Sequence, residues 1–211
     1  DVYRYMGNDG IISFFKCVWC CHGFRVTYFM RKSKNGHFLL RWLYKRMFAY
    51  YRTRYGIQTH WNLEVGRGFY IGHFGTIIIN ANVKIGENCN INQGVTIGAE
   101  NRGKRKGVPI LGNKVWVGAN SVIVGKVTIG DNVLIAPLSY VNFDVPSNSI
   151  VIGNPAKIIN KKDVYHALIY TFASPGCCQP EYLNASIGFF LAALFAGYNP
   201  NTPHCPRHEI Y

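Results

Sequence analysis

Aliphatic side chains recur at every sixth position through the middle of the chain: Ile79, Ile85, Ile91 and Ile97, then Leu111, Val117, Ile123, Ile129, Ile135 and Val141. Four residues after most of these comes a second small or branched residue, as in Val83, Cys89, Val95, Val115, Ser121, Val127 and Val133. A period of six matches neither the face of a 3.6-residue helix nor one long two-residue alternation. It fits short strands joined by tight corners, each turning one aliphatic inward. Three such sides close a coil of about 18 residues, and stacked coils pair their backbones with the coils above and below. The pattern predicts a mainly β chain wound as a parallel β-solenoid. A β-sandwich keeps no such fixed period. Gly86, Gly98, Gly112, Gly118 and Gly130 each follow an inward aliphatic and read as corners that need unusual dihedrals.

The period is interrupted twice. Ile57, Leu63 and Phe69 keep the step, but Ile79 comes ten residues after Phe69, which predicts an insertion within 70–78. The stretch AENRGKRKGVP at 99–109 breaks it again, and loops thrown out of a solenoid are where binding work concentrates. Residues 11–55 lack the hexad and are rich in aromatic and basic residues. They contain strong helix formers such as HFLLRWLYKRMFAYYRTR, so two or three helices are expected. Three parts result: a basic helical region at 1–56, the solenoid at 57–160 and an extension at 161–211. A further helix is expected to start over 161–166.

Charge sharpens this division. Residues 1–56 carry eleven basic and two acidic side chains, and the whole chain is strongly cationic at +13. Such a field attracts polyanions, including anionic lipid headgroups and a phosphorylated cofactor, without choosing among them. Seven cysteines, with adjacent pairs at Cys20-Cys21 and Cys177-Cys178, do not resemble a secreted disulfide framework and read as reduced thiols of a cytoplasmic protein. Cys17 and Cys20 have zinc-type spacing, but no second such pair exists among Cys177, Cys178, His204 and Cys205, so no metal is expected. The longest apolar run, IGFFLAALFAGY at 187–198, is shorter than the ~20 residues a membrane span needs and reads as a buried helix.

The hexads, together with GHFGT at 72–76, INQGVTIG at 91–98, WVGAN at 116–120 and GNPAK at 153–157, resemble the hexapeptide-repeat acyltransferases, most closely the serine acetyltransferases. DVYRY at the start and GFRVTYFMR at 23–31 look like a serine-acetyltransferase-like branch associated with polysaccharide biosynthesis. The resemblance implies a left-handed β-helix, a homotrimer, acetyl-CoA as donor and a catalytic histidine in a cleft between subunits. His73 falls where the family carries that histidine. A hydroxyl is a poor nucleophile until a base removes its proton, and neutral imidazole suits that work.

Gln58, His60 and Asn92 are further candidates for lining the cleft or orienting His73. The resemblance places the pantetheine groove near Gly98, Ala99 and Ala119, with Lys157 as a phosphate partner; Lys161, Lys162 and the loop residues Lys104, Arg105 and Lys106 are secondary candidates. Departures from the family bear on the acceptor. Serine acetyltransferases carry an aspartate at the position of Gln58, another at Gly72, and an Arg-His pair at Gly107-Val108. Free serine needs charged partners, so their absence leads to the expectation that the acceptor is a sugar hydroxyl of a polysaccharide precursor, with serine O-acetylation as the alternative. Asp1, Asp9 or Glu100 are the acidic residues that would have to substitute. A zinc-dependent anhydrase on the same solenoid would need three converging histidines, and only His60 and His73 lie in it. No nucleic-acid partner is expected. The non-enzymatic reading is a basic scaffold whose residues 1–56 make peripheral contact with a membrane surface, at its inner face.

Overall fold

The computed structural model describes residues 1–160. Four α-helices come first: α1 (Val2–Met6), α2 (Ile11–Cys20), α3 (His22–Asn35) and, after a 3-10 turn at Phe38–Leu40, α4 (Arg41–Arg54). Fifteen short strands follow, in three sheets that form the sides of a triangular coil. The first sheet stacks β1 (Ile57–Gln58), β4 (Ile77–Ile79), β7 (Thr96–Gly98), β10 (Val122–Val124) and β13 (Tyr140–Val141). The second stacks β2 (Glu64–Val65), β5 (Lys84–Ile85), β8 (Ile110–Leu111) and β11 (Thr128–Ile129). The third stacks β3 (Tyr70–Ile71), β6 (Asn90–Ile91), β9 (Trp116–Val117), β12 (Leu134–Ile135) and β14 (Ser149–Ile152), and is closed by β15 (Lys157–Asn160). Every pairing is parallel except that of β14 with β15. Inward aliphatics stack in register, Ile71 on Ile91 on Val117 on Ile135, and all are buried.

The registers correct two readings of the sequence. Ile57 pairs with Ile77 and Val65 with Ile85, so Ile57, Leu63 and Phe69 belong to the second inward series, the one containing Val83 and Cys89. The first series runs Val65, Ile71, Ile79. From Ile71 to Ile79 is eight residues instead of six, which confines the insertion to two residues at the corner between β3 and β4.

The glycines after the inward aliphatics are also there for a different reason. Gly86, Gly112, Gly118 and Gly130 keep ordinary negative φ. A side chain at Gly118 would place its Cβ 2.5 Å from the Pro137 nitrogen one coil on, so these positions need clearance, not conformational freedom. The left-handed corners are occupied instead by Gly94, Asn120 and Leu138 in one column and Gly68, Asn88, Lys114 and Asn132 in another.

Helices α2 and α4 both run antiparallel to α3. Phe14 meets Phe24 and Tyr28 while Arg25 bonds the carbonyls of Val18 and Trp19; Tyr44 and Tyr51 meet Phe29, and Arg25 lies over Tyr55. This layer docks on the first coil. Gly23 lets α3 approach β3 so closely that a Cβ there would lie 2.3 Å from the Ile71 carbonyl oxygen. The Tyr5 hydroxyl accepts from the Ile71 amide at 3.0 Å. Arg31 holds the Asp1 carboxylate at 2.6 Å and donates to the Val65 and Gly66 carbonyls, and the same carboxylate accepts from the Gly68 amide.

Candidate active site

His73 sits at the enlarged corner. Two extra residues enlarge the path: Gly75 takes φ +115°, and Thr76 holds at φ +48° the left-handed corner that Gly94 and Asn120 hold in the next coils, a conformation that strains a β-branched residue. The corner is tied to the next coil by Gly72 N–H to the Ile91 carbonyl at 3.3 Å and by Gly94 N–H to the Gly75 carbonyl at 3.0 Å. His73 itself is half-buried, and its side chain makes no hydrogen bond to any described residue. Its imidazole is therefore free to meet a ligand.

The register of β3, β6 and β9 stacks Gly72, Asn92 and Gly118 in one column of corners, and that of β4, β7 and β10 stacks Gly75, Gln93 and Ala119 in the next, so His73 lies in the insertion between the two columns. Asn92 is buried and donates its amide to the Val117 carbonyl at 2.9 Å, which makes it a brace for the corner. A Cβ on Gly72 would come within 3.2 Å of the Tyr70 ring and 3.3 Å of Asn92 Oδ1, so an aspartate there would be crowded. Sequence reasoning passed over Gln93. Its Oε1 is buried without a donor among the described residues, one coil from Gly75.

Sequence reasoning also missed the side of the corner supplied by the helices. The His22 ring packs 4.6 Å from Phe74 and 4.8 Å from Tyr55. Burial lowers the His22 pKa from its ordinary value, and the charges of Arg25 and Arg54 lower it further. Arg25 is engaged with Val18, Trp19 and Tyr55, whereas Arg54 is exposed, with a 3.5 Å bond to the Tyr50 hydroxyl.

The other candidates lie elsewhere in the chain. Gln58 is exposed on β1 beside Ile78, and His60 is past the far end of that strand, its Nδ1 accepting from the Asn62 amide and its ring against Trp61. Gly98 and Ala99 are at the same far edge of the first sheet. Lys157 is exposed on β15. The 99–109 insertion is a hairpin closed by reciprocal bonds between Glu100 and Gly107, both 2.9 Å, with Arg105 paired to Asp144 and Lys104 and Lys106 in solvent. Glu100 accepts from the amides of Asn101 and Arg102, and Asp1 is consumed by Arg31 and Gly68, so neither points a free carboxylate at His73. No three His, Cys, Asp or Glu side chains among the described residues are grouped to hold a metal ion. Lys161, Lys162 and the apolar run 187–198 lie outside the described residues.

Residues 109–142 match the family model described as bacterial transferase hexapeptide (six repeats). The chain is 38% identical over 106 residues to the serine acetyltransferase of Helicobacter pylori (strain ATCC 700392 / 26695), covering 50% of this chain and 62% of that protein. It is 34% identical over 136 residues to that of Synechococcus elongatus, covering 61% and 56%. It thus spans between about half and three fifths of these relatives. Among solved structures, soybean serine acetyltransferase complexed with serine superposes with a TM-score of 0.60 at 25% identity, over 70% of this chain and 61% of that one. Neisseria gonorrhoeae serine acetyltransferase gives 0.56 at 26%, over 70% and 58%.

These likenesses overturn the expectation of a sugar acceptor and give no support to a polysaccharide-associated branch. The physical reason is visible at the corner. The expectation weighed Gly72, Gly107 and Val108 and the acids Asp1, Asp9 and Glu100, and took no account of α3, whose His22 packs on Phe74 at this corner.

Proposed function

We propose that the chain is a serine O-acetyltransferase that uses acetyl-CoA as donor, with His73 as the base, on a left-handed β-helix assembled as a homotrimer. One observation carries the reading: a half-exposed histidine without a hydrogen-bond partner among the described residues stands at the solenoid's enlarged corner, against which the basic helical layer packs through His22 on Phe74. The zwitterion of serine suits those surroundings. Its hydroxyl meets the His73 imidazole, and the cationic helical segment gives its carboxylate a favourable field.

In the reaction, His73 removes the serine hydroxyl proton as the oxygen attacks the thioester carbonyl. A C–O bond forms, the tetrahedral adduct expels the thiolate as the C–S bond breaks, and the imidazolium returns its proton to sulfur, leaving O-acetylserine and CoA. Ala119, in the same column as Gly75, and Gly98 and Ala99, across the sheet, leave little side-chain bulk against pantetheine, and Lys157 is a cation for the nucleotide phosphates. A trimer brings the two edges of neighbouring first sheets together. Exposed Phe74, Ile78, Ile110 and Leu138 on the solenoid flanks support that assembly, and Leu138 does so while holding a left-handed φ of +61°.

The test is thiol release from acetyl-CoA against a panel of L-serine, homoserine and simple hexoses, on protein whose mass in solution is read by light scattering. Saturable release with serine and little with hexoses, from a trimer, is expected. Hexose-dependent release without serine turnover would overturn the proposal.

A further inference from the structure

We infer that one end of the helical layer is a docking surface for an anionic lipid membrane. Because α2 and α4 both run antiparallel to α3, their N-terminal ends fall at the same end of the layer, where α3 finishes. That end is unusually apolar for a solvent-facing surface. On α2, Ile11, Ile12 and Phe15 are exposed there on the side away from buried Ser13 and Cys17, and the stripe they begin continues to Trp19 at the helix's other end. Around the 3-10 turn, Phe38, Leu39, Leu40, Trp42 and Leu43 are all exposed, Trp42 at 71%. Eight large apolar side chains at one end of the layer are beyond the scatter of single exposed hydrophobics on ordinary surfaces.

Charge identifies the occupant. Lys16, Lys32, Lys34, Arg41 and Arg46 are exposed among these residues, and Asp9 is the exposed acid of the region. A second copy placed on this face would set like charges against like. An anionic bilayer would neutralise them while its headgroup boundary receives the leucines, the phenylalanines and Trp42, whose ring favours that boundary. No helix among the described residues is long and apolar enough to cross a membrane, so contact is in the interfacial plane. The surface is separate from the His73 corner, and the inference stands whatever the acceptor.

Co-sedimentation of the full chain with phosphatidylglycerol-containing vesicles, against vesicles of phosphatidylcholine alone, tests it. Binding to the anionic vesicles is expected, weakened as salt rises from about 0.1 M to about 0.5 M. The double variant Leu39→Ser/Trp42→Ser should lose at least about tenfold in binding. Arg41→Glu/Arg46→Glu should lose the preference for anionic vesicles. Circular dichroism and thermal unfolding of the same variants show that they are folded. Absence of vesicle binding by the wild-type chain, undiminished binding by both folded variants, or a change of oligomeric state in Leu39→Ser/Trp42→Ser without a change in vesicle binding would each overturn the inference, the last by making the face a contact between copies.

Discussion

Burial, followed by the Arg25 and Arg54 charges, holds the His22 imidazole below its ordinary pKa. The folded chain therefore takes up a proton there less readily than the unfolded chain does. As pH falls through the ordinary histidine value of about 6.5, the unfolded state gains the proton first and stability is lost; below the depressed folded value the loss levels off. His22→Gln should accordingly show a smaller fall in Tm than the wild type between about pH 8 and about pH 5.5, and equal falls would show that His22 is not coupled to folding. Cys89 is the complementary case of a buried side chain, its thiol pushed up to about 11 mainly by desolvation and hence inert at neutral pH. His73 was legible in the sequence because it lies inside a contiguous motif. His22 and Gln93 were not, since each reaches the corner through a contact between coils or between helix and coil that no local spacing encodes.

Among the strands, the hexad reveals where the chain turns but not what lies over the turn. Gly118→Ala should destabilise by about 1–3 kcal/mol, because the new methyl meets the Pro137 nitrogen and the coils are already tied by the 2.8 Å bond from Gly118 N–H to Ile135. Gly98→Ala meets only side-chain atoms, at 3.6 and 3.8 Å, and should cost far less. Denaturant unfolding of both variants measures the contrast; equal losses would mean that coil spacing relaxes freely around the corner. The same blindness explains the misplaced phase at 57–79. Both inward series accept aliphatics, so Ile57, Leu63 and Phe69 fit either until a register is known. The helix over 37–54 was readable from composition, and α4 occupies Arg41–Arg54.

At the scale of the whole molecule, a helical layer caps the first coil and the His73 corner lies against it. Sequence reading treated the basic segment and the solenoid as separate, and rested the acceptor on Gly72, Gly107 and Val108. Packing of His22 on Phe74 joins the two at the His73 corner. The central claim is that His73 is the base for acetyl transfer to serine, and the most direct measurement is serine-dependent thiol release by His73→Ala beside CoA binding by the same protein. Turnover should fall by about 10²–10⁴-fold with CoA affinity retained. Turnover within a few-fold of wild type, in a variant that still binds CoA, would contradict the account.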